Sequence, residues 1–458
     1  MKAIFSLEEA RKLDHSFIKK YSLSESSLID GAAMGAYHVI KDQVYKKRIL
    51  FLIGKGNNGS DGLELARILS EEGADVHVFY LKGNPNEENA RRRGYAFKVV
   101  SSFSPYDYDV IIDALCGFGF HGDIEDDILD LVERVNDSGC YTISLDVPSF
   151  MQIIANETIV FMFYKLELFN PLSREKFGML QLVNPGFDEH ELSLVESDVY
   201  LIEHKDLDLK PFSISDYKNT RGHVAVIGGS EKYPGAPILS AKSAIKSGSG
   251  LVTLISTDEV RGVVLSSYPS IMVQRASEVD FSIFSSIAIG PGWGSGDERL
   301  FELAIESGKP IVIDADALKF VPGKNFGMRA VITPHLGEYK RLCKALSIDN
   351  GLSSSSKLKQ TLLDLSRRLG AIIVLKGSTV WISNGEKVYI YDGHNPSLGV
   401  AGSGDVLTGI VASLLASGQT PLRSAIEAVI LHQEAGLRAN KKFGYYLADE
   451  LIMEIERP

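Results

Sequence analysis

The chain has 458 residues, 45% of them hydrophobic and 23% charged, and a formal net charge of −11 at pH 7. This is the composition of a soluble globular protein, and the length exceeds one ordinary core, pointing to two or three domains. The acidic balance, with no dense basic run beyond Lys46-Lys47-Arg48 and Arg91-Arg92-Arg93, gives no electrostatic footprint for nucleic acid.

The N-terminal residues mix acids and bases where a secretory signal needs an apolar core, and no window approaches a transmembrane span. Cys116, Cys140 and Cys343 are widely spaced and form no metal-ligand pattern, which fits a reducing compartment. A cytoplasmic protein with no membrane or nucleic-acid partner is expected.

Residues 6–21, with Glu8 and Glu9 early, read as a capped helix, and residues 48–53 as a buried strand. The stretch Gly54-Lys55-Gly56-Asn57-Asn58-Gly59-Ser60-Asp61-Gly62 then leads into a helix over 60–72, so backbone N–H groups face an anionic ligand. Its spacing is not Gly-x-Gly-x-x-Gly, and two amides with an aspartate exceed what a tight turn needs. Residues 75–80, 110–115 and 141–146 read as further strands. Asp113 lies near the end of one, before Cys116-Gly117-Phe118-Gly119-Phe120-His121, and Asp146 ends another, before Val147-Pro148-Ser149.

Each of these aspartates alone is an ordinary strand-end residue. Brought to one sheet rim, Asn58, Asp113 and Ser149 make an all-oxygen site for a hard or alkali cation, with Asp146 as acid/base group. Lys165, after the apolar run 159–164, is either a second polar member or a strand-end lysine.

The pattern breaks over residues 200–221, dividing the chain into expected domains 1–205 and 206–458. Alternation then resumes: a strand from 222 into Gly228-Gly229-Ser230, a helix over 236–247, a strand over 251–255, and a strand from Ile287 into Gly290-Pro291-Gly292-Trp293-Gly294. Next come a strand closing in Asp314 and Asp316, the segment Thr333-Pro334-His335-Leu336-Gly337-Glu338, a short polar loop at 353–356, and a strand over 371–375 ending in Lys376-Gly377-Ser378-Thr379. Such alternation signals βα units and mainly parallel sheets.

The stretch from Asn395 through Gly402-Ser403-Gly404-Asp405 opens into an apolar helix over 406–415. Small residues let the backbone N–H groups converge on an anion at the helix N-terminus. Asp405 stands beside that anion, where a carboxylate takes a proton from a reacting hydroxyl. Alone, Gly-Ser-Gly-Asp reads as a turn capping a core helix. Four strand ends on one rim favour phosphoryl transfer to a small-molecule alcohol, because α/β sheets collect ligands at the carboxyl ends of their strands.

These motifs, in this order, resemble those of the bifunctional NAD(P)H-hydrate repair enzymes, in which an epimerase domain is fused to an ADP-dependent dehydratase domain. The resemblance covers nearly the whole chain. It implies an α/β protein with an N-terminal Rossmann-like three-layer domain and a C-terminal ribokinase-like domain. It also implies hydrated NADH or NADPH as substrate, ADP or ATP with Mg2+ as phosphoryl donor, and K+ as a bound ion; a homo-oligomer is expected.

By the same resemblance, Lys376, Gly377, Ser378, Thr379 and Val380 hold the nucleotide together with Pro396, Ser397, Leu398, Gly399, Ala401, Gly402, Ser403 and Gly404. Gly292, His335, Leu336, Gly337 and Glu338 contact the hydrate, and Asp405 is the base. In the first half, Asn58, Asp113 and Ser149 match potassium ligands. Asn57, Asn58, Gly59, Ser60, Asp61, Gly117, Phe118, Gly119, His121 and Asp146 match hydrate-binding positions. Four departures stand out: Leu336 for a proline, Ser60 for a glycine, Phe118 for a threonine and Phe150 for a glycine. The loop after Ser149 is also shortened, and impaired epimerisation is expected. Two other readings share parts of this pattern: a ribokinase-type small-molecule kinase, and a dehydratase carrying a non-catalytic binding module.

Overall fold

The structure, a computed structural model, describes residues 1–22, 24–81, 84, 86–87, 90, 95, 97–117 and 124–457. The chain forms two compact units, Ala3–Ser197 and Asp198–Pro458, the second taking in Met1–Lys2. The division precedes the sequence break at 205/206 because β10 (Val199–Ile202) pairs in parallel with β19 (Val388–Tyr391), inside the second unit's sheet.

The first unit begins with β1 (Lys2–Phe5) and α1 (Leu7–Tyr21). Ser6 and Glu9 cap α1 reciprocally: Glu9 N–H donates to Ser6 Oγ at 3.2 Å and Ser6 N–H to the Glu9 carboxylate at 2.8 Å, a device worth about 1 kcal/mol. After α2 (Glu25–Val44) come β2 (Arg48–Ile53), α3 (Asn57–Glu71), β3 (Asp75–Tyr80), β4 (Lys98–Val99), β5 (Val110–Ala114) and α4 (Asp126–Asp137). The unit closes with β6 (Tyr141–Leu145), β7 (Glu157–Phe161), β8 (Tyr164–Lys165) and β9 (Met179–Val183).

Seven parallel strands run in the order β4-β3-β2-β5-β6-β7-β9, and β8 pairs separately with β1. Along β2, Ile49, Phe51 and Ile53 enter a core shared with α2 and α3, while Leu50 and Leu52 enter a second core shared with α4. A strand covered on both faces reads as an unbroken apolar run, and the result is a three-layer, Rossmann-like sandwich. The chain leaves β2 toward β3 and later returns to β5 on the other side. A crevice at that switch point follows, outside the carboxyl ends of β2 and β5.

The second unit orders its strands β13-β12-β11-β14-β15-β16-β17-β18-β19-β10. These include β11 (His223–Ile227), β12 (Leu251–Ile255), β13 (Met272–Gln274), β14 (Ser286–Ile289), β15 (Ile311–Ile313), β16 (Ala330–Ile332) and β17 (Ala371–Leu375), all parallel. β18 (Val380–Ser383) then turns back antiparallel, and β19 antiparallel to it. After α5 (Glu189–Ser193) of the first unit, the helices here include α6 (Gly235–Lys246), α7 (Asp258–Ser267), α8 (Glu298–Glu306), α9 (Leu336–Ala345), α10 (Ser355–Leu369), α11 (Ser403–Ala416) and α12 (Pro421–Phe443).

The polar stretch 353–356 is not a loop throughout. Ser354 caps α10, its hydroxyl accepting from Lys357 N–H at 3.3 Å, so serines with a loop-like composition open a helix. α11 is apolar on every side and buried, as befits a helix in the core. It packs close against α6 because Gly409 has no Cβ: one there would lie 2.0 Å from Ser243 Oγ. Ser240 of α6 also donates to the Asp405 carbonyl at 2.8 Å, which fixes the rotation of α11.

Candidate functional site

In the second unit, β15 and β17 deliver Asp314 and Lys376 to the N-terminus of α11. Asp314 is 1% exposed. It accepts from Lys376 Nζ at 2.8 Å through one oxygen and from Thr408 Oγ1 at 2.7 Å through the other. A Cβ on Gly404 would lie 3.3 Å from Lys376 Nζ, so the ammonium hangs over the first turn of α11. Gly402, at φ +89°, caps that helix without a side-chain hydrogen bond. The free N–H groups, the helix dipole and the ammonium therefore converge on one anion-sized place.

Asp405 stands in the same first turn. Burial pushes its carboxyl up to about 7, and Asp314 adds to the shift; Lys376 opposes it, while Asp316 and Glu338 raise it further. A carboxylate poised near neutrality is suited to general-base work.

The neighbouring motifs reach the same rim. Lys376 N–H donates to the Pro334 carbonyl at 2.9 Å, which sets His335 alongside. His335 and Glu338 cap α9: Gly337 N–H donates to His335 Nδ1 at 3.0 Å, and His335 N–H to Glu338 at 2.9 Å. Leu336 and Gly337 form the half-buried first turn between them. The Gly290–Gly294 loop is tied in because Asp316 accepts from Gly294 N–H at 2.7 Å and the Gly292 carbonyl from Ser230 at 2.9 Å.

The expected nucleotide positions divide. Gly377, Ser378, Gly399 and Ala401 are exposed turns around the cradle. Pro396, Ser397 and Leu398 form a short 3-10 turn, with Ser397 Oγ 3.1 Å from Tyr446 and Leu398 packed on the core. Ser403 is buried against His432, and Gly404 leaves the cradle open. Thr379 and Val380 turn inward: Val380 is a core residue, and the Thr379 hydroxyl accepts from Trp381 Nε1 at 3.0 Å.

In the first unit a cavity of about 890 Å3 opens at the switch point. Asn57, Asn58, Asp61, Gly117 and Asp146 line it, with Asp14 of α1 above. Asn57–Asp61 are helical, so α3 starts earlier than residue 60 and turns its first N–H groups to the crevice. Gly59 packs on the Gly54 carbonyl, and Ser60 donates to Asn86 at 3.1 Å. Phe118, Gly119 and His121 lie outside the described residues.

Lys165 is a polar member of this site: it is 2% exposed and donates to Asp146 Oδ1 at 2.5 Å. Burial drives the Asp61 carboxyl well up, and the nearby charges of Asp146, Asp14 and Glu25 reinforce it. Asp113 is fully buried and accepts from Ser144 Oγ, Ser149 N–H, Ser149 Oγ and Leu115 N–H at 2.5–3.2 Å. Ser149 Oγ accepts in turn from Cys116 N–H at 2.9 Å. Asn58 lies against Gly117, and its side-chain nitrogen and oxygen are buried with no hydrogen-bond partner among the described residues. Phe150, at φ +60°, and Met151, at φ +56°, hold a left-handed backbone that suits glycine, and Phe150 lines the cavity.

Sequence reasoning missed Thr408, Asp14 and His432. Thr408 carried a signal, one helical turn beyond Gly404; Asp14 carried none, being a polar residue on an amphipathic helix.

A family model described as NAD(P)H-hydrate dehydratase matches residues 224–457, and one described as YjeF-related protein N-terminus matches residues 25–165. The chain is 30% identical to the bifunctional NAD(P)H-hydrate repair enzyme of Pyrobaculum aerophilum, over 93% of this chain and 92% of that one. It superposes on a ribokinase-like superfamily protein from Enterococcus faecalis with a TM-score of 0.51 at 24% identity, over 57% of this chain and 95% of that one. The ADP/ATP-dependent NAD(P)H-hydrate dehydratase of Bacillus subtilis, co-crystallised with ATP and Mg2+, gives 0.50 at 23% identity, over 56% and 96%. The last two likenesses carry the ribokinase-like fold. The order of the two models and the near-complete match lead to one assignment: the chain belongs to the bifunctional NAD(P)H-hydrate repair enzyme family.

Proposed function

We propose that the second unit dehydrates the S-form of hydrated NADH or NADPH with ADP, and that the first unit binds the R and S hydrates and interconverts them slowly. The observation that carries the first part is Asp405, a carboxyl near neutrality in the same helical turn as an uncapped helix N-terminus, with the Lys376 ammonium overhead.

Asp405 takes the proton of the ring 6-hydroxyl as that oxygen attacks the terminal phosphorus of the nucleotide. The bridging P–O bond breaks and AMP leaves with its electron pair. The phosphorylated ring then loses phosphate from C6 with the bonding pair and a proton from C5, restoring the double bond. Through both steps, preorganised donors on α11 and Lys376 hold the phosphoryl charge. Magnesium prefers phosphate oxygens and water to a dedicated protein cage, so it would enter on the nucleotide beside the carboxylates of this rim, neutralising phosphate charge.

In the first unit, Asp146 and Lys165 form the acid/base pair. The donor set beside them fits an alkali ion. Among the described residues, the hydrogen-bond partners of the buried Asp113 carboxyl are all neutral, and the Asn58 amide oxygen has none. A buried charge without an opposite one is costly, and burial pushes the Asp113 carboxyl up against the hydrogen bonds that favour its charge. Potassium held by Asn58, Asp113 and Ser149 would supply the missing charge and order the rim.

Phe150 supports slow epimerisation, because it puts bulk and a left-handed backbone at the cavity wall. The same observation favours a second reading of the first unit, as a module that binds hydrate without converting it.

Incubating the purified chain with both hydrate epimers, ADP and Mg2+ tests the proposal. Loss of the S-form should yield reduced nucleotide, AMP and phosphate in equal amounts. Accumulation of a phosphorylated product would favour a kinase instead.

A further inference from the structure

We propose that Asp314 is a positioning residue that, anchored by Thr408, fixes the Lys376 ammonium over the α11 cradle as the clamp on the phosphoryl group in transfer. The inference rests on the dehydratase reading and adds to it a role for Lys376 in rate rather than in nucleotide affinity alone.

The geometry is a three-member chain. Thr408 lies one turn into α11, its hydroxyl 3.1 Å from the Gly404 carbonyl and 2.7 Å from Asp314 Oδ2. Asp314 Oδ1 holds Lys376 Nζ at 2.8 Å, and that nitrogen is the atom that a Cβ on Gly404 would meet first, at 3.3 Å. Asp314 is 1% exposed while the Lys376 side chain is 20% exposed, so the carboxylate is a buried anchor that holds a lysine with several rotatable bonds in one place at the rim. A cation fixed beside free helix N–H groups stabilises charge that develops during transfer, without reorganising. The anchor comes from the helix that carries the cradle, so Lys376 keeps its register with that helix.

The charged groups facing Asp405 are Asp314 at the end of β15, Lys376 at the end of β17, Asp316 and Glu338. Asp314 and Lys376 act on it in opposite directions. Removing either therefore moves the pH dependence of turnover oppositely, which a purely structural role would not do.

The test measures kcat, the KM for ADP and pH–rate profiles for Asp314→Asn, Lys376→Met and the double variant. Asparagine keeps the shape and can still bond both neighbours. Each single variant should lose on the order of 100-fold in kcat with KM changed a few-fold, and the double should lose no more than the worse single. The rising limb of the profile should move to lower pH in Asp314→Asn and to higher pH in Lys376→Met. Additive losses, or limbs that stay in place, would overturn the role. Competitive acetylation of Lys376, read by mass spectrometry, checks the pair independently of turnover. It should rise at least tenfold in Asp314→Asn and less in Thr408→Val; an unchanged rate also overturns the proposal. If the parent chain turns over no S-hydrate, the dehydratase reading fails and the clamp fails with it, whereas the acetylation result shows whether the ion pair itself stands.

Discussion

His432 Nε2 lies 2.9 Å from the Ser403 carbonyl oxygen and 3.0 Å from the Ser403 hydroxyl. A carbonyl can only accept, so Nε2 carries the hydrogen and the ring is held in one tautomer. Through this contact α12 fixes the first residue of α11. Burial pushes the imidazole down to about 4; the hydrogen bond to Ser403 opposes that shift, and the Lys376 charge adds to it.

This histidine makes the second unit acid-sensitive. An unfolded histidine titrates near 6.5, so between that pH and about 4 the unfolded chain binds the extra proton and the folded one does not. The contribution is fully present above that window and is lost as pH falls through it, on the order of 3 kcal/mol in all. Urea unfolding of the second unit should show a smaller loss between pH 7 and pH 4.5 in His432→Gln than in the parent. Equal losses would place the acid sensitivity elsewhere.

Much of the fold was legible because so many strands are buried on both faces. Residues 371–375 are an unbroken apolar run, 48–53, 75–80 and 251–255 are mostly apolar, and each forms a strand with those bounds. α2 was not legible: its buried face is Ala32, Ala33, Ala36, Ile40 and Val44, and alanines carry little periodic signal. The hairpin of β18 and β19 follows directly on Lys376-Gly377-Ser378-Thr379, where glycine and serine suit a turn as well as a ligand. At the site, Asp405 and Lys376 could be found from strand ends and a small-residue helix start. The Thr408–Asp314 bond could not, since it joins residues 94 positions apart. Nor could His432, because a lone histidine in an apolar helix reads as core.

Asn58 should report on the cation. Among the described residues its buried amide has no hydrogen-bond partner, and Asp113 has no opposite charge among its own partners. Thermal unfolding of the parent should shift upward when potassium replaces a bulky organic cation at constant ionic strength. Asn58→Ala should abolish most of that shift. A parent whose unfolding ignores potassium would remove the ion site.

Phe150→Gly should accelerate epimerisation. Glycine takes φ +60° without the 1–3 kcal/mol or so that a strained non-glycine backbone costs, and it clears the cavity wall. Conversion of R-hydrate should rise about tenfold or more, and Asp146→Ala should cancel the gain. Thermal stability should change little, because relief of strain offsets the lost ring packing. An unchanged rate would mean that Phe150 does not limit the reaction.

Asp405→Asn tests the central claim most directly. With Asp405 raised to about 7, the base is available above that pH, so parent kcat should rise with pH through neutrality and level off. In Asp405→Asn, ADP binding measured by calorimetry should stay within a few-fold of the parent, since the helix N-terminus and Lys376 are untouched. Its S-hydrate turnover should fall by a factor on the order of 1,000 and lose the rising limb. A variant that binds ADP and dehydrates S-hydrate at the parent rate would show that Asp405 is not the base.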